Sequence, residues 1–387
     1  MEIGIGRRAR RAYGFDEVAL VPGGVTINPA EVDISFEMEG LRLEVPFWAA
    51  SLDGVVDVDF AIAMGRLGGI AKLNLEGVQC RYEDPKPVIE RIRSVEKAEA
   101  VPLIQELYRE SVKPHLVERR IREIKAAGVP CAVSTSPQRA AERAELVASS
   151  GADVLVVEGT VLTARHISDS YQQLSFAELT RSLSIPVVVG NCVHYETSLE
   201  LMEEGVAAIM VGVGPGAICT TRGVLGVGVP QVTATADVAA ARDLYERRTG
   251  RRVAVITDGG MRTGGDICKA FAAGADAVML GSPFGGADEA AGHGITWGMA
   301  TGDPNLPRGT RIQVGRKGSL QEILFGPAHV DDGTMNFVGA LRSALGVCGS
   351  RNLREFHHVD MVIAPAIVSE GKLHQQSQHV GMGGGSR

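Results

Sequence analysis

The sequence Val211-Gly212-Val213-Gly214-Pro215-Gly216-Ala217-Ile218-Cys219-Thr220-Thr221-Arg222 shows the pattern on which the rest of the chain is organised, a strand followed by a glycine loop. It starts at the end of an apolar run, residues 206–211, which predicts a buried strand, and it then breaks into glycines. Three glycines within five residues let the backbone approach a bound group that side chains would otherwise block. Cys219 lies at the far end of this loop, with Thr221 two residues beyond it. A thiol in that position is a candidate nucleophile, while the alternative is a small buried apolar side chain.

The same order of apolar run, loop and helical pattern recurs along the chain. The runs are rich in valine and isoleucine and do not alternate with polar residues, as is typical of parallel strands covered on both faces. Glycines such as Gly205 and Gly274 end the helical patterns between the runs. Eight runs predict strands: residues 45–50, 69–73, 131–134, 154–157, 186–190, 207–211, 253–256 and 277–281.

The alternation of eight strands with helices predicts an α/β fold of the (β/α)8 TIM-barrel type, in which active sites collect at the C-terminal ends of the strands. A doubly wound sheet is the alternative. It would more often carry Gly-x-Gly-x-x-Gly after its first strand, where this chain has no such motif. Val117, Ile121 and Ile124 recur at helical spacing and predict a covering helix before the third strand.

The pattern predicts one domain. We expect a single catalytic domain over residues 1–380, with an N-terminal arm and an irregular flap region at 282–318. Residues 282–345 are rich in glycine and proline, and they predict one helix, near residues 319–324. The low-complexity tail, residues 381–387, is expected to be disordered.

Composition and charge exclude some classes of function. The chain has 387 residues, 45% of them hydrophobic, and a formal net charge of -7, which gives no electrostatic reason to expect nucleic acid as a partner. Six cysteines without pairing-like spacing indicate free thiols and a reducing compartment. No apolar run approaches the length that crosses a bilayer, and no signal peptide leads the chain. We therefore expect a cytoplasmic protein without a membrane partner.

Two further glycine motifs follow predicted strands. Asp258-Gly259-Gly260 comes after the seventh strand and Gly281-Ser282 after the eighth. In barrels, the loops after strands seven and eight commonly bind phosphate through glycine amides, although such residues also form ordinary turns. Together with the loop after strand six, they predict a site for a nucleotide phosphate. The Asp258 carboxylate could pair with ribose hydroxyls of the same ligand.

These motifs carry a resemblance to a known family. The chain resembles the IMP dehydrogenase / GMP reductase family along nearly its whole length. The shared blocks, in order, are residues 13–22, 60–70, Gly190-Asn191, the cysteine loop, Val229-Pro230-Gln231, Asp258-Gly259-Gly260 and 278–282. The chain is most similar to the short, IMP-dehydrogenase-related branch, because the regulatory pair of CBS domains is absent between strands two and three.

The resemblance implies a barrel that assembles as a homotetramer or an octamer and binds the purine nucleotides GMP or IMP. It implies a cysteine that attacks C2 of the purine and a nicotinamide cofactor, NADPH or NADH/NAD, that exchanges hydride there. IMP dehydrogenase oxidises IMP to XMP and hydrolyses the covalent adduct. GMP reductase releases ammonia from GMP, accepts hydride and leaves IMP.

The family's functional residues map onto this chain by motif. Cys219 matches the nucleophile, with Thr221 as its catalytic partner. Glu158, Gly159 and Thr160 match the cofactor side, and carbonyls of Gly214, Gly216 and Cys219 match a monovalent-cation (K+) site. The substrate-binding positions are Asn191, Asp258, Gly259, Gly260, Gly281, Ser282, Gly298 and Met299.

The resemblance favours GMP reductase over IMP dehydrogenase. Dehydrogenases carry a long flap with an Arg-Tyr pair that activates water, whereas here only residues 300–307 separate Met299 from Arg308, and they hold no such pair. Two departures point the other way. Arg308 stands where reductases have a glutamate that helps protonate the leaving amine, with Asp288, Glu289 and Asp303 as substitutes, and Ala217 replaces a phosphate-binding serine. An IMP dehydrogenase with another base and a non-catalytic purine-nucleotide sensor remain the alternatives.

Overall fold

The centre of the protein is a closed barrel of eight parallel strands. The computed structural model describes residues 1–169, 173–298 and 310–383. Each strand pairs in parallel with the strand before and after it in the chain, and the last pairs with the first. The strands are β1 (Phe47–Ala49), β2 (Ile70–Asn74), β3 (Ala132–Thr135), β4 (Val154–Glu158), β5 (Val187–Cys192), β6 (Ala208–Val211), β7 (Ala254–Asp258) and β8 (Ala277–Leu280). The predicted TIM barrel is confirmed.

Helices cover the outside of the barrel, because the strands are apolar on both faces. One buried cluster fills the barrel interior and a larger one lies between strands and helices. The predicted helix with Val117, Ile121 and Ile124 exists, and all three side chains are buried. The covering helices are α1 (Val58–Arg66), α2 (Pro114–Ala126), α3 (Pro137–Ser149), α4 (Phe176–Ser182), α5 (Tyr195–Glu203), α6 (Gln231–Thr249), α7 (Gly264–Ala272) and α8 (Phe337–Val347).

Helix α8 was not predicted, although it closes the layer of helices. The expected helix near residues 319–324 is present as Leu320–Phe325. Gly339 and Gly346 weaken the helical signal of α8 in the sequence, but packing against the barrel outweighs the low propensity. Phe337 stacks on Phe47 of β1 with ring centroids 6.4 Å apart. The part of the chain that was expected to be irregular also holds an antiparallel pair of strands, Ile295–Trp297 and Arg311–Gln313.

A hairpin closes the N-terminal end of the barrel. Its strands, Phe36–Met38 and Leu41–Leu43, precede β1 directly, and their apolar side chains join the interior cluster. Phe36 meets Trp48 edge to face, with ring centroids 6.2 Å apart. The opposite, C-terminal end is therefore the end at which a ligand can enter the barrel.

The structure also describes the cysteines and tests the helices for membrane-spanning length. All six cysteines lie within the described residues and are free thiols. Among the helices of the described part of the chain, none combines the length and apolar character needed to cross a membrane.

Truncating Phe36 should destabilise the whole barrel. Phe36→Ala leaves a cavity beneath Trp48, so we expect the free energy of unfolding to fall by about 3–5 kcal/mol, and Phe36→Leu to cost less than about 2 kcal/mol. Urea unfolding followed by tryptophan fluorescence measures both. Val25→Ala, at an exposed side chain, is the matched control and should change stability by less than about 0.5 kcal/mol. A Phe36→Ala protein as stable as the control would contradict the role of the hairpin.

Candidate active site

A charged layer lies above the apolar interior at the C-terminal end of the barrel. The interior cluster ends with apolar residues on β2, β4 and β7, and two residues further on come Lys72, Glu158 and Asp258. Because side chains alternate along a strand, these three also face inward. The barrel therefore presents charged side chains where the loops after the strands meet.

The cysteine loop follows β6 and holds the thiol beside a hydroxyl. The backbone N–H of Cys219 donates to the Gly216 carbonyl at 3.0 Å, which closes a turn. The Cys219 thiol donates to Thr221 Oγ1 at 3.1 Å. Cys219 is half-buried, whereas Thr221 is buried at the start of a short helix, Thr221–Leu225. A hydroxyl can reverse its role and donate to a thiolate, so the pair can stabilise both states of the sulfur.

The glycine loops after β6 and β7 touch each other. Gly212 has a φ of 153°, and a Cβ there would lie 2.3 Å from the Asp258 carbonyl oxygen. Gly260 has a φ of 82°, and its Cβ would lie 3.0 Å from Cβ of Pro215. A side chain at either position would push the loops apart. The cysteine loop and the Asp258-Gly259-Gly260 motif therefore form one wall.

Asp258 is anchored by an amide from each side. Asn191 Nδ2 donates to its carboxylate at 2.7 Å. Gln231 Nε2 donates to the Val211 carbonyl at 2.5 Å and to the Asp258 carbonyl at 3.3 Å, so it ties the ends of β6 and β7 together. Burial raises the pKa of the Asp258 carboxyl, and the nearby Lys72 charge opposes this shift. Sequence reasoning noted Gln231 only as part of a shared block.

Glu158 is held by a buried cation. The Lys72 ammonium donates to Glu158 Oε2, and Ser51 Oγ donates to Oε1 at 2.5 Å. Burial alone would raise the pKa of Glu158, but the Lys72 charge and the hydrogen bonds outweigh it and hold the pKa below its usual value. Sequence reasoning missed Lys72, although a lone charged residue inside the apolar run 69–73 was a signal. Glu158 lies at the C-terminal end of β4, within the same layer as Asp258.

The other predicted cofactor and phosphate positions lie at the same end. Gly159 extends the pairing of β4 with β5, because it donates to the Gly190 carbonyl at 2.8 Å and accepts from the Asn191 N–H at 3.1 Å. Thr160 is exposed beyond it. Gly281 precedes the short helix Ser282–Gly285, and a Cβ on it would lie 2.9 Å from the Leu52 side chain. The loops after β8 and β1 are thus in contact.

Arg222 connects the start of the cysteine loop to the segment that precedes α6. Its Nε donates to the Val213 carbonyl at 3.3 Å and its Nη2 to the Val229 carbonyl at 2.8 Å. Its stem lies against Gly214, where a Cβ would approach Arg222 Cγ to 2.6 Å. The predicted cation ligands of this loop are backbone carbonyls, the donor type that suits K+. One of them, at Gly216, already accepts the Cys219 N–H.

Gly298 follows a tryptophan that belongs to a buried polar network. Trp297 Nε1 donates to the Tyr108 hydroxyl at 3.1 Å, and this hydroxyl donates to the Asp53 carboxylate. The N–H of Val78 donates to the same carboxylate at 2.9 Å. The network joins the loops after β1 and β2 to the strand that leads to Gly298. Sequence reasoning missed it, because its members are far apart in the chain.

Several predicted positions lie outside the described residues or are engaged elsewhere. Met299, Asp303 and Arg308 fall in the segment 299–309, which the structure does not describe. Asp288 forms a surface ion pair with Arg316, with 2.6 Å between carboxylate and guanidinium. Glu289 accepts the N–H of Leu320 at 2.8 Å and so caps the helix Leu320–Phe325. Asp288 and Glu289 are thus held by other parts of the protein.

The Asp53 carboxyl should make stability depend on pH. Burial raises its pKa to about 6, against the hydrogen bonds from Tyr108 and Val78. The folded protein then holds this proton more tightly than the unfolded chain does, so the stability contributed by protonated Asp53 is lost as the pH rises to about 6. When the pH rises from about 5 to about 7.5, the wild type loses this contribution and Asp53→Asn does not. The free energy of unfolding of Asp53→Asn should therefore increase by about 1 kcal/mol relative to that of the wild type.

Urea unfolding of both proteins at the two pH values measures this gain, and taking the difference at each pH cancels groups that the proteins share. Asp33→Asn is the control. The Ser35 N–H lowers the pKa of Asp33, so this group titrates below the tested range and its difference should stay constant. An equally constant difference for Asp53→Asn would show that the Asp53 carboxyl does not titrate in this range.

Comparisons with known proteins find similarity along most of the chain. A model of the IMP dehydrogenase / GMP reductase domain matches residues 12–374. A protein of Mycobacterium leprae named as an uncharacterized oxidoreductase is 39% identical over 94% of this chain and 100% of its own length. An inosine-5'-monophosphate dehydrogenase of Methanocaldococcus jannaschii is 26% identical, covering 90% of this chain and 91% of that protein.

One solved structure shows the same architecture. It is the crystal structure of an IMP dehydrogenase/GMP reductase-like protein from Corynebacterium glutamicum. The two chains are 36% identical, the TM-score is 0.88, and the match covers 94% of this chain and 97% of the other.

Proposed function

This chain belongs to the IMP dehydrogenase / GMP reductase family of oxidoreductases, and we propose that its reaction is the reduction of GMP to IMP with release of ammonia. The observation that carries the proposal is the contact between the Cys219 thiol and Thr221 Oγ1, at 3.1 Å in a glycine loop that touches Asp258-Gly259-Gly260. The sequence supports the reductase over the dehydrogenase, because residues 300–307 contain no Arg-Tyr pair to activate water. Reduction requires no activated water.

The proposed reaction passes through a bond to sulfur. The Cys219 sulfur bonds to C2 of the purine, and the exocyclic amine takes up a proton and leaves as ammonia. The reduced nicotinamide cofactor, when bound, supplies hydride to C2 and is itself oxidised. The carbon–sulfur bond then breaks, the electron pair returns to Cys219 as a thiolate, and IMP is released. The Thr221 hydroxyl would accept a hydrogen bond from the resting Cys219 thiol. It would donate a hydrogen bond to the thiolate once the thiol proton has left, and again when the carbon–sulfur bond breaks.

The loops would hold the substrate at both ends. We assign the 5′-phosphate to the amides of Gly259, Gly260, Gly281 and Ser282, and the ribose to Asp258, which Asn191 orients. Gly298 and Met299 would read the base through their backbone. Burial of the Asp258 carboxyl suits it to a ribose hydroxyl, because such an acceptor is strongest where water is excluded.

The cofactor, NADPH or NADH, would lie on the β4 side of the pocket, against Glu158, Gly159 and Thr160. K+ would bind carbonyls of Gly214, Gly216 and Cys219 and so hold the cysteine loop in place. A homotetramer, stacked or not into an octamer, is the proposed assembly. The IMP dehydrogenase reaction is the second candidate, because a relative is named for it and Arg308 replaces the reductase glutamate.

Turnover assays should distinguish the candidates. With GMP, the purified protein should consume NADPH, followed by the absorbance of the reduced cofactor, and a parallel assay with NADH gives the cofactor preference. With IMP and NAD, no cofactor reduction is expected. Reduction of NAD with IMP, together with no loss of NADPH with GMP, would establish the dehydrogenase instead. Nucleotide binding without either reaction would indicate a sensor.

Replacing the nucleophile should separate chemistry from binding. Cys219→Ser should abolish turnover, while GMP affinity stays within about tenfold because the phosphate and ribose contacts remain. Turnover and calorimetric binding measure the two effects. Cys348→Ser is the control: this cysteine is also half-buried, but its thiol contacts the Val21 carbonyl at 3.6 Å, away from the site. Retained turnover in Cys219→Ser would refute the assignment.

A further inference from the structure

Lys72 is a buried cation beneath the proposed cofactor position. It lies on the inner face of β2, and its side chain is 1% exposed. Its ammonium donates to Glu158 Oε2 and lies 3.7 Å from Met210 Sδ on β6. Ile70, the preceding inward-facing residue of β2, and Met210 are both apolar and buried in the barrel interior. An ammonium in such surroundings is stable only when it is paired, so Lys72 and the Glu158 carboxylate depend on each other.

Glu158 is the member of this pair that reaches the pocket. Its side chain is 28% exposed, in contrast to Lys72. Its two carboxylate oxygens have separate donors, the Lys72 ammonium for Oε2 and Ser51 Oγ for Oε1. Two donors from two different segments fix the direction of the carboxylate. Each oxygen keeps a further lone pair, and because the side chain is partly exposed, a ligand hydroxyl can donate to the carboxylate.

Asp258 depends less on Lys72. The charge of Lys72 lowers the pKa of Asp258, whereas burial and the Glu158 charge raise it. Asp258 also has its own donor, Asn191 Nδ2 at 2.7 Å. The groups facing Glu158 are thus Lys72 on β2 and Asp258 on β7, together with the hydroxyls of Ser51 and of Ser134 on β3. Loss of the Lys72 charge should therefore change the ionisation and orientation of the Glu158 carboxylate more than those of Asp258.

We propose that Lys72 is a positioning residue for the nicotinamide cofactor: from below the pocket, its ammonium keeps the Glu158 carboxylate ionised and directed to accept a hydrogen bond from a ribose hydroxyl. The inference rests on the proposed function, in which Glu158 faces the cofactor ribose. Lys72 does not contact the cofactor or the substrate itself, because its side chain is buried. It acts through Glu158.

The test is the affinity for NADPH between about pH 6 and about pH 8, measured by the fluorescence of the reduced nicotinamide. The 2′-phosphate of NADPH itself titrates at about pH 6, so each variant is compared at the same pH with the wild type, in which Glu158 stays ionised. In Lys72→Met, the Glu158 carboxyl takes up a proton at low pH, so NADPH should bind about tenfold more weakly near pH 6 and recover as the pH rises. GMP affinity should change less than about threefold, because Asn191 still holds Asp258.

Two further variants separate this role from a loss of folding. Lys72→Met/Glu158→Gln replaces the ion pair by a neutral pair of similar shape, so it should regain the thermal stability that Lys72→Met loses. Its NADPH affinity relative to the wild type should be the same at every pH. Lys125→Met removes the ammonium of a different ion pair, 2.8 Å from Asp153 and remote from Glu158, so its NADPH affinity should stay within about threefold of the wild type.

Distinct outcomes contradict the inference and the proposed function. A Lys72→Met protein that binds NADPH as tightly as the wild type at every pH overturns the role of Lys72, and so does a double variant that is no more stable than Lys72→Met. A wild type that binds NADPH without consuming it in the presence of GMP contradicts the proposed reaction but leaves the comparison of variants valid. A wild type that binds no nicotinamide cofactor overturns both.

Discussion

The open end of the barrel depends on one close approach between two loops. The backbone at Gly212 lies so near the Asp258 carbonyl that a single added carbon would meet it at 2.3 Å. Gln231 then donates to carbonyls at the ends of β6 and β7 and holds the two strand ends together. Because the loop after β6 carries the thiol and the loop after β7 carries Asp258, this contact makes them parts of one pocket. A barrel with bulkier residues at these turns would keep its fold but separate the two groups.

The carboxylates at the open end of the barrel need hydrogen-bond donors from the protein, because they lie where water is partly excluded. A buried carboxylate is unfavourable unless hydrogen bonds or a nearby cation compensate for the lost water. Each of the three acids has its own donors: an amide for Asp258, an ammonium and a hydroxyl for Glu158, and a phenol and a backbone N–H for Asp53. These donors come from different strands and loops. The charges can therefore serve binding only in the fully folded barrel.

Sequence patterns predicted what depends on neighbouring residues in the chain. The eight strands were found because each is a continuous apolar run, and the glycine loops because they follow those runs directly. Helix α8 was not predicted, because its two glycines lower its helix propensity and the helix is stabilised by packing against the barrel. The Lys72–Glu158 pair joins strands that are far apart in the sequence, and the Asp53, Tyr108 and Trp297 network joins three separate segments. Contacts across a barrel leave no local pattern, so the glycine loops at the strand ends were predictable from the sequence, while contacts such as the Lys72–Glu158 pair were not.

The central claim is that the Cys219 sulfur bonds to a purine carbon while the glycine turns hold the phosphate of the same nucleotide. A crystal structure of the protein with GMP tests it most directly. The account predicts C2 of the purine in contact with or bonded to Cys219 Sγ, the ribose on Asp258, and the phosphate against Gly259-Gly260 and Gly281-Ser282. A base remote from the sulfur, or a phosphate bound at another part of the protein, would contradict it.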